Sequence, residues 1–317
     1  MQEQGPHILK SMFGAIEAGG TKFVCGIGTG PDDLQTAQFP TSTPEITVAS
    51  VIEFFQKSKV DLAAIGIGSF GPVDINRNSS TYGHITSTPK VGWQNFDLRG
   101  TIERALRVPV AFDTDVNGAI LAEARWGAAK GLDNAIYMTI GTGIGGGALV
   151  HGRVLHGLVH PEMGHLHIPH DRARDPFPGI CPYHGDCLEG LASGPAMQAR
   201  WNQPGSTLRP EHPGWDLEAH YLALGLMNLA VAFSPQRIIM GGGVMGQQHM
   251  LEKLRAEFKK IMNGYIRHPD VNDHVDLFIQ APALGSLSGI LGALVLAEQI
   301  DSEIVMEQTM KRPEKQA

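Results

Sequence analysis

The sequence predicts an α/β protein built from two repeated halves, with a ligand held between them. Three observations carry this expectation. Strand-like runs at 13–17 and 22–28 are separated by Ala18-Gly-Gly-Thr21, and runs at 134–140 and 144–150 are hinged on a second glycine turn. After each opening, apolar strands alternate with segments of helical period. The 39 glycines are clustered rather than scattered, with three groups at the ends of expected strands.

Taken in order, 13–17, 22–28 and a weaker run at 35–40 form consecutive strands, an antiparallel hairpin opening a mixed sheet. A helix follows at 45–58 and an apolar strand at 61–68. Residues 96–107 form an amphipathic helix with Phe96, Leu98, Ile102 and Leu106 on one side. Residues 108–113 are a short buried strand ending in polar residues, and a helix starts at Gly118. After the second strand pair come a helix at 217–233, a strand at 236–240, a helix at 249–263, a strand at 276–280 and a helix at 286–299. Residues 301–317 are polar and charged, and read as a frayed tail.

With 317 residues and 42% hydrophobic composition, the chain can bury a core without disulfides. A net charge of −7 gives no electrostatic footprint for nucleic acid and does not suit an anionic membrane. No stretch approaches the roughly 18 uninterrupted apolar residues of a membrane helix, and the first ten residues contain no secretory h-region. A cytoplasmic location is expected. Three cysteines make no disulfide framework; Cys25, in an apolar run, reads as a small buried hydrophobe.

Cys181, His184 and Cys187 recur at every third position in Cys181-Pro-Tyr-His-Gly-Asp-Cys187, and His165 stands upstream in Pro161-Glu-Met-Gly-His165. Two thiols and two imidazoles complete a tetrahedral zinc set with no open position for water, so the metal is expected to be structural. Fourteen histidines make single coincidences cheap, and His167 and His170 compete with His165 for the fourth place. The short segment has no core of its own, so a metal would supply its order. Glu162 and Glu189 flank the set, and the same staple would fix both carboxylates near one point.

The glycine turns are Ala18-Gly-Gly-Thr-Lys22, Gly141-Thr-Gly-Ile-Gly-Gly-Gly147 and Gly241-Gly-Gly-Val244. Backbone amides freed of side chains can close on phosphate oxygens, and the Thr21 and Thr142 hydroxyls add donors. The second turn contains GxGxxG, yet it leads into a strand and fails the context of a dinucleotide fingerprint. Any one such turn is commonly an ordinary hairpin; three, two of them at equivalent places in the halves, point to a nucleotide. Asp113-Thr-Asp-Val-Asn117 joins a strand to a helix. A carboxylate there can orient an attacking hydroxyl in line with a terminal phosphate, or simply cap the helix, and either aspartate could serve.

Glu17-Ala-Gly-Gly-Thr-Lys22, Thr114-Asp-Val-Asn117, Gly141 to Gly147, Pro161 to His165, Cys181 to Glu189 and Met240-Gly-Gly-Gly243 together resemble the ordered motifs of the ROK sugar kinases. With Tyr82-Gly83 and Thr88-Pro-Lys-Val-Gly-Trp93, the pattern is most similar to the bacterial fructokinase branch. The resemblance implies actin-like, hexokinase-type (ribonuclease H-like) duplicated domains with a central ligand cleft. It places the first domain at 13–115 plus 286–300, after an extension at 1–12, and the second at 116–285, with its zinc segment at 161–194. It also implies a homodimer that binds ATP and a hexose.

By the same resemblance Asp115 is the base. Gly19, Gly20, Thr21, Lys22, Gly141, Thr142 and Gly143 hold phosphates, while Gly241, Gly242 and Gly243 lie by the adenosine. Asn117, Glu162 and Glu189 contact sugar, and His165, Cys181, His184 and Cys187 hold Zn2+. Glu17 stands where relatives usually have aspartate near the Mg2+ of the nucleotide, which it could reach through water. Thr114 replaces an asparagine of many relatives, and His184 a cysteine. The reaction implied is phosphorylation of D-fructose at its 6-hydroxyl, with glucose, mannose and N-acetylmannosamine as competing substrates. The family's transcription factors carry a helix-turn-helix segment ahead of the sugar domain, for which about a dozen residues are too few. A noncatalytic sugar sensor would be expected to lack the aspartate or the phosphate loops.

Overall fold

The structure, a computed structural model, describes residues 11–88 and 90–310. Most of the expected N-terminal extension and the last seven residues lie outside them. The chain divides into two compact units, Met1–Gly118 with Gly289–Ala317, and Ala119–Ser288. The sequence places these divisions after 115 and 285.

In the first unit β1 (Met12–Ala18), β2 (Lys22–Gly28) and β3 (Gln35–Pro40) form an antiparallel meander. Helix α1 (Pro44–Ser58) then crosses to β4 (Leu62–Ser69), which pairs parallel with β1. Strands β1 and β4 are buried on both faces, which is why they read as nearly continuous apolar runs. Strand β3 lies at the sheet edge with mostly exposed residues, hence its weaker signal. Proline at the first position starts α1, Val48, Val51 and Phe55 bury its inner face, and Lys59 ends it at φ 55°.

A two-stranded ribbon, β5 (His84–Ile85) with β6 (Phe96–Asp97), precedes α2 (Leu98–Leu106). Asp97 caps α2 by accepting from Gly100 N at 2.8 Å, and Leu98, Gly100 and Ile102 are its buried positions. Strand β7 (Val110–Thr114) completes the sheet in the order β3-β2-β1-β4-β7. Cys25 is fully buried in this core, as its apolar surroundings in the sequence predict.

Helix α3 (Asp115–Trp126) starts three residues before the expected Gly118. In the second unit β8 (Ala135–Ile140), β9 (Ile144–Val150) and β10 (Arg153–Val154) repeat the meander. They are followed by α4 (Leu188–Ala192), α5 (Gly194–Trp201), α6 (Gly214–Phe233), β11 (Arg237–Gly241), α7 (Gln248–Met262), α8 (Pro269–Asn272), α9 (Val275–Phe278) and β12 (Ile279–Gln280). The sheet order, β10-β9-β8-β11-β12, repeats that of the first unit strand for strand. The duplication expected from two strand–glycine–strand openings is thus a duplication of topology.

Helix α10 (Ser288–Met310) closes the described chain. Two expectations are corrected. Residues 301–310 are not a frayed tail but the last turns of α10, with Glu303 paired to Arg77 at 2.6 Å. Their polarity reflects exposure; the run has no glycine or proline to stop the helix. The strand expected at 276–280 shrinks to Ile279–Gln280, because Val275–Phe278 is a helical turn. Arg237 and Arg255 take the carbonyls of Leu277 and Asp276 that a strand would offer to its neighbour. No helix among the described residues is long and apolar enough to cross a membrane.

Candidate functional site

The first unit presents the β1–β2 turn. Gly19 N donates to Lys22 O at 3.0 Å, Thr41 Oγ1 donates to Gly19 O at 2.7 Å, and Thr41 N donates to Thr21 O at 2.9 Å. The turn is thereby fastened from β3's end, while Gly20, Thr21 and Lys22 stay exposed. The Lys90 ammonium donates to Gly20 O. Its loop is anchored by Trp93, a fully buried residue whose indole donates to Ser42 O at 2.7 Å. Two cations therefore stand at this turn, and the sequence assigned a role only to Lys22.

Strand β7 delivers Asp113 and Asp115 to different places. Asp113 is buried; its Oδ1 accepts from Thr114 N and Asn117 Nδ2, both at 2.7 Å. Asp115 is half-buried at the first position of α3, its Oδ1 accepting from Val116 N at 2.9 Å. Gly68 of β4 lets the backbone of Asp115 approach, since a Cβ there would stand 3.3 Å from its Cα. Asn117 is fully buried, so its side chain turns to Asp113 and braces the turn instead of facing solvent.

The Glu17 carboxyl is pushed up to about 7, first by burial and then by the negative charge of Asp115, with Lys22 opposing. Unfolded, the group titrates near 4.5. Between the two values the native state binds more protons than the unfolded chain, so this group's contribution to stability falls as pH rises through that window. Thermal denaturation of ligand-free protein is therefore expected to show Tm declining between about pH 4.5 and 7, with Glu17→Gln flattening the decline. Superimposable profiles for parent and variant would show that Glu17 is not its source.

In the second unit the turn between β8 and β9 opens into a pocket of about 490 Å³. Gly141, Thr142, Gly243 and Val244 line one part, and Gly194, Pro195, Gln198, Pro204, Gly205, Ser206, Trp215 and Gln247 the rest. The volume is that of a small-molecule site. Gly243 is the one glycine of the third turn that lines it. Gly241 instead packs against the Tyr137 hydroxyl, and Gly242, at φ +91°, lies against the Ile140 backbone. The sequence missed the Ser193-Gly-Pro195 contribution, although serine before proline is a helix-start signal; Ser193 does cap α5.

A second cluster lies in the same unit. One ligand atom from each of His165, Cys181, His184 and Cys187 falls within 4.8 Å of the others. Cys181 Sγ is 3.6 Å from both His165 Nδ1 and His184 Nδ1, and Cys187 Sγ is 3.5 Å from His165 Nδ1. A tetrahedral ion with M–S near 2.3 Å and M–N near 2.0–2.1 Å sets sulfur and nitrogen about 3.5 Å apart, so the donor set fits a metal. His167 stacks edge-on against His184 outside the quartet. His170 is also outside: its ring bonds Asp186 Oδ2 and Asp175 O, each at 3.0 Å.

Glu162 and Glu189 both border this cluster. Glu162 Oε1 lies 3.5 Å from His160 Nδ1, and Glu189 Oε1 lies 4.0 Å from His165 Nε2. Within the second unit, the glycine turn with its pocket can hold a phosphorylated ligand, and the N/S quartet a metal. A model of the ROK family matches residues 13–300. A Bacillus subtilis protein is 48% identical over 289 residues, covering 91% of this chain and 96% of its own. A Streptococcus mutans fructokinase is 43% identical, over 92% of this chain and 99% of its own. Among solved structures, a Streptomyces griseus glucokinase in complex with glucose and AMPPNP aligns with a TM-score of 0.72 at 25% identity, over 91% of this chain and 100% of its own.

Proposed function

The chain belongs to the ROK family and is an ATP-dependent hexose kinase; from that premise we propose that its acceptor is D-fructose, its product fructose 6-phosphate and its general base Asp115. The observation that carries the nucleotide half of this reading is the glycine turn at Gly141–Gly143 opening into the 490 Å³ pocket. Fructose is supported by the likeness to fructokinases. The same reading places the enzyme in the cytoplasm as a homodimer.

In the proposed reaction the fructose 6-oxygen forms a bond to the γ-phosphorus as the bond from that phosphorus to the β–γ bridging oxygen breaks. The hydroxyl proton passes to Asp115, and MgADP leaves. The transition state is loose, so the proton departs late and the residues act mainly by alignment and charge neutralisation. Amides of the turns at Gly19–Thr21 and Gly141–Gly143 donate to phosphate oxygens, with Lys22 and Lys90 as cations at the first. Glu17 would stand by the Mg2+ of the nucleotide, which it could reach through water. Asp113, gripped by Asn117 and by Thr114 N, holds the strand end from which Asp115 projects. Glu162 and Glu189 bind sugar hydroxyls.

The quartet is proposed to hold Zn2+, on the strength of its two thiolates, two imidazoles and tetrahedral spacing. Zinc there would be structural: it would order the segment from which Glu189 projects and would take no part in phosphoryl transfer. An ADP-release assay across fructose, glucose, mannose and N-acetylmannosamine tests the substrate. Fructose is expected to give the highest kcat/KM, by about tenfold or more over the others. Turnover of glucose or mannose with fructose inert would replace the acceptor while leaving the kinase standing.

A further inference from the structure

Ile144, the residue that follows the Gly141–Gly143 turn, is held on two sides by segments that also carry the metal ligands. Its amide donates to Glu189 Oε2 at 2.8 Å. Glu189 lies in the first turn of α4, a helix whose N-cap residue is Cys187. On the other side Gly164, next to His165, packs so tightly that a Cβ there would stand 1.9 Å from Ile144 O. A third tie comes from Gly194 N, which donates to Gly141 O at 2.8 Å. Gly143 completes the fit, because a Cβ at that position would stand 2.6 Å from Glu189 Oε2.

We infer that Glu189 is a positioning residue for the phosphate turn, through which the metal quartet sets the shape of the nucleotide site. This rests on the reading of that turn and quartet given above. A carboxylate accepting from a backbone amide makes a strong, directional bond, and its loss lets the strand start at Ile144 swing away from the pocket. Glu189 uses only one oxygen for this. Oε1 is turned toward His165 and remains for the sugar hydroxyl assigned to it, so one side chain serves both substrates. By linkage, the affinities for sugar and nucleotide are coupled through it.

The test reads nucleotide without sugar, so that the sugar contact is not measured. Calorimetric titration of MgADP into sugar-free Glu189→Ala is expected to show affinity weakened by about tenfold or more. Glu189→Gln, whose amide oxygen still accepts from Ile144 N, is expected to stay within about threefold of the parent. Hydrogen exchange gives a readout independent of any ligand: the Ile144 amide should be slow in the parent and in Glu189→Gln. It should be fast in Glu189→Ala and after zinc-selective chelation.

Should Glu189→Ala fail to fold, Gly143→Ala takes its place, since its methyl displaces the same carboxylate and should expose the same amide. Unchanged MgADP affinity in Glu189→Ala, or an Ile144 amide that stays slow in Glu189→Ala or Gly143→Ala or after metal removal, overturns the inference. A parent protein that binds no MgADP would instead defeat the kinase reading, and the exchange result separates the two failures.

Discussion

Asp115→Ala is expected to lower kcat with fructose by roughly 100-fold or more while MgADP affinity stays near that of the parent. The split follows from where the side chain sits. Asp115 occupies the first position of α3, half-buried, with its Oδ1 accepting from Val116 N at 2.9 Å. Other bonds fasten the glycine turns: Gly19 N to Lys22 O, Thr41 Oγ1 to Gly19 O, and Ile144 N to Glu189 Oε2. Asp115→Asn keeps the shape and removes the base, so it should resemble the alanine variant in kcat. Steady-state kinetics with parallel MgADP titrations check both. Near-normal turnover in either variant would take the role of base away from Asp115, and Asp113, buried under Asn117, would not be the obvious heir.

Cys181→Ser is expected to lose bound zinc, lower Tm by about 5 °C or more and raise the KM for fructose about tenfold or more. Cys181 Sγ lies 3.6 Å from Nδ1 of both histidine ligands, and the residue closes a tight turn through Cys181 N to Gly185 O and Gly185 N to Cys181 O, at 3.1 and 2.9 Å. Serine retains these backbone bonds but offers a poor zinc ligand at neutral pH, so the effect reports the metal. Elemental analysis, thermal denaturation and kinetics read its three parts. Parent protein purified without chelator and found free of zinc would end the structural-metal account.

The openings of both units were plain in the chain because a turn of glycines between apolar runs is a local signal. Their repetition marked the two halves, while the strand order within each sheet came from the structure. Polarity misled at 301–310, where it marks an exposed helix, and apolar content misled at 275–278, where two arginines claim the carbonyls. Asp113 and Asp115 could not be separated by spacing. The difference lies in burial, as Asn117 folds back onto Asp113 and leaves Asp115 at the helix start. Gly241 and Gly242 carried the same motif as Gly243, yet they face Tyr137 and Ile140, a distinction that depends on neighbouring strand and loop.

By itself the sequence determined the duplicated strand–turn–strand plan, the spacing of Cys181, His184 and Cys187, and the carboxylates flanking the turns and the quartet. All of these are set within a few residues, where backbone geometry and residue type suffice. Only the tertiary structure decided that Lys90 reaches Gly20 and that Glu189 holds Ile144, contacts across 70 and 45 positions. Such contacts arise when buried anchors such as Trp93 and Leu188 close long loops against a core, and that closure depends on packing that no local spacing encodes.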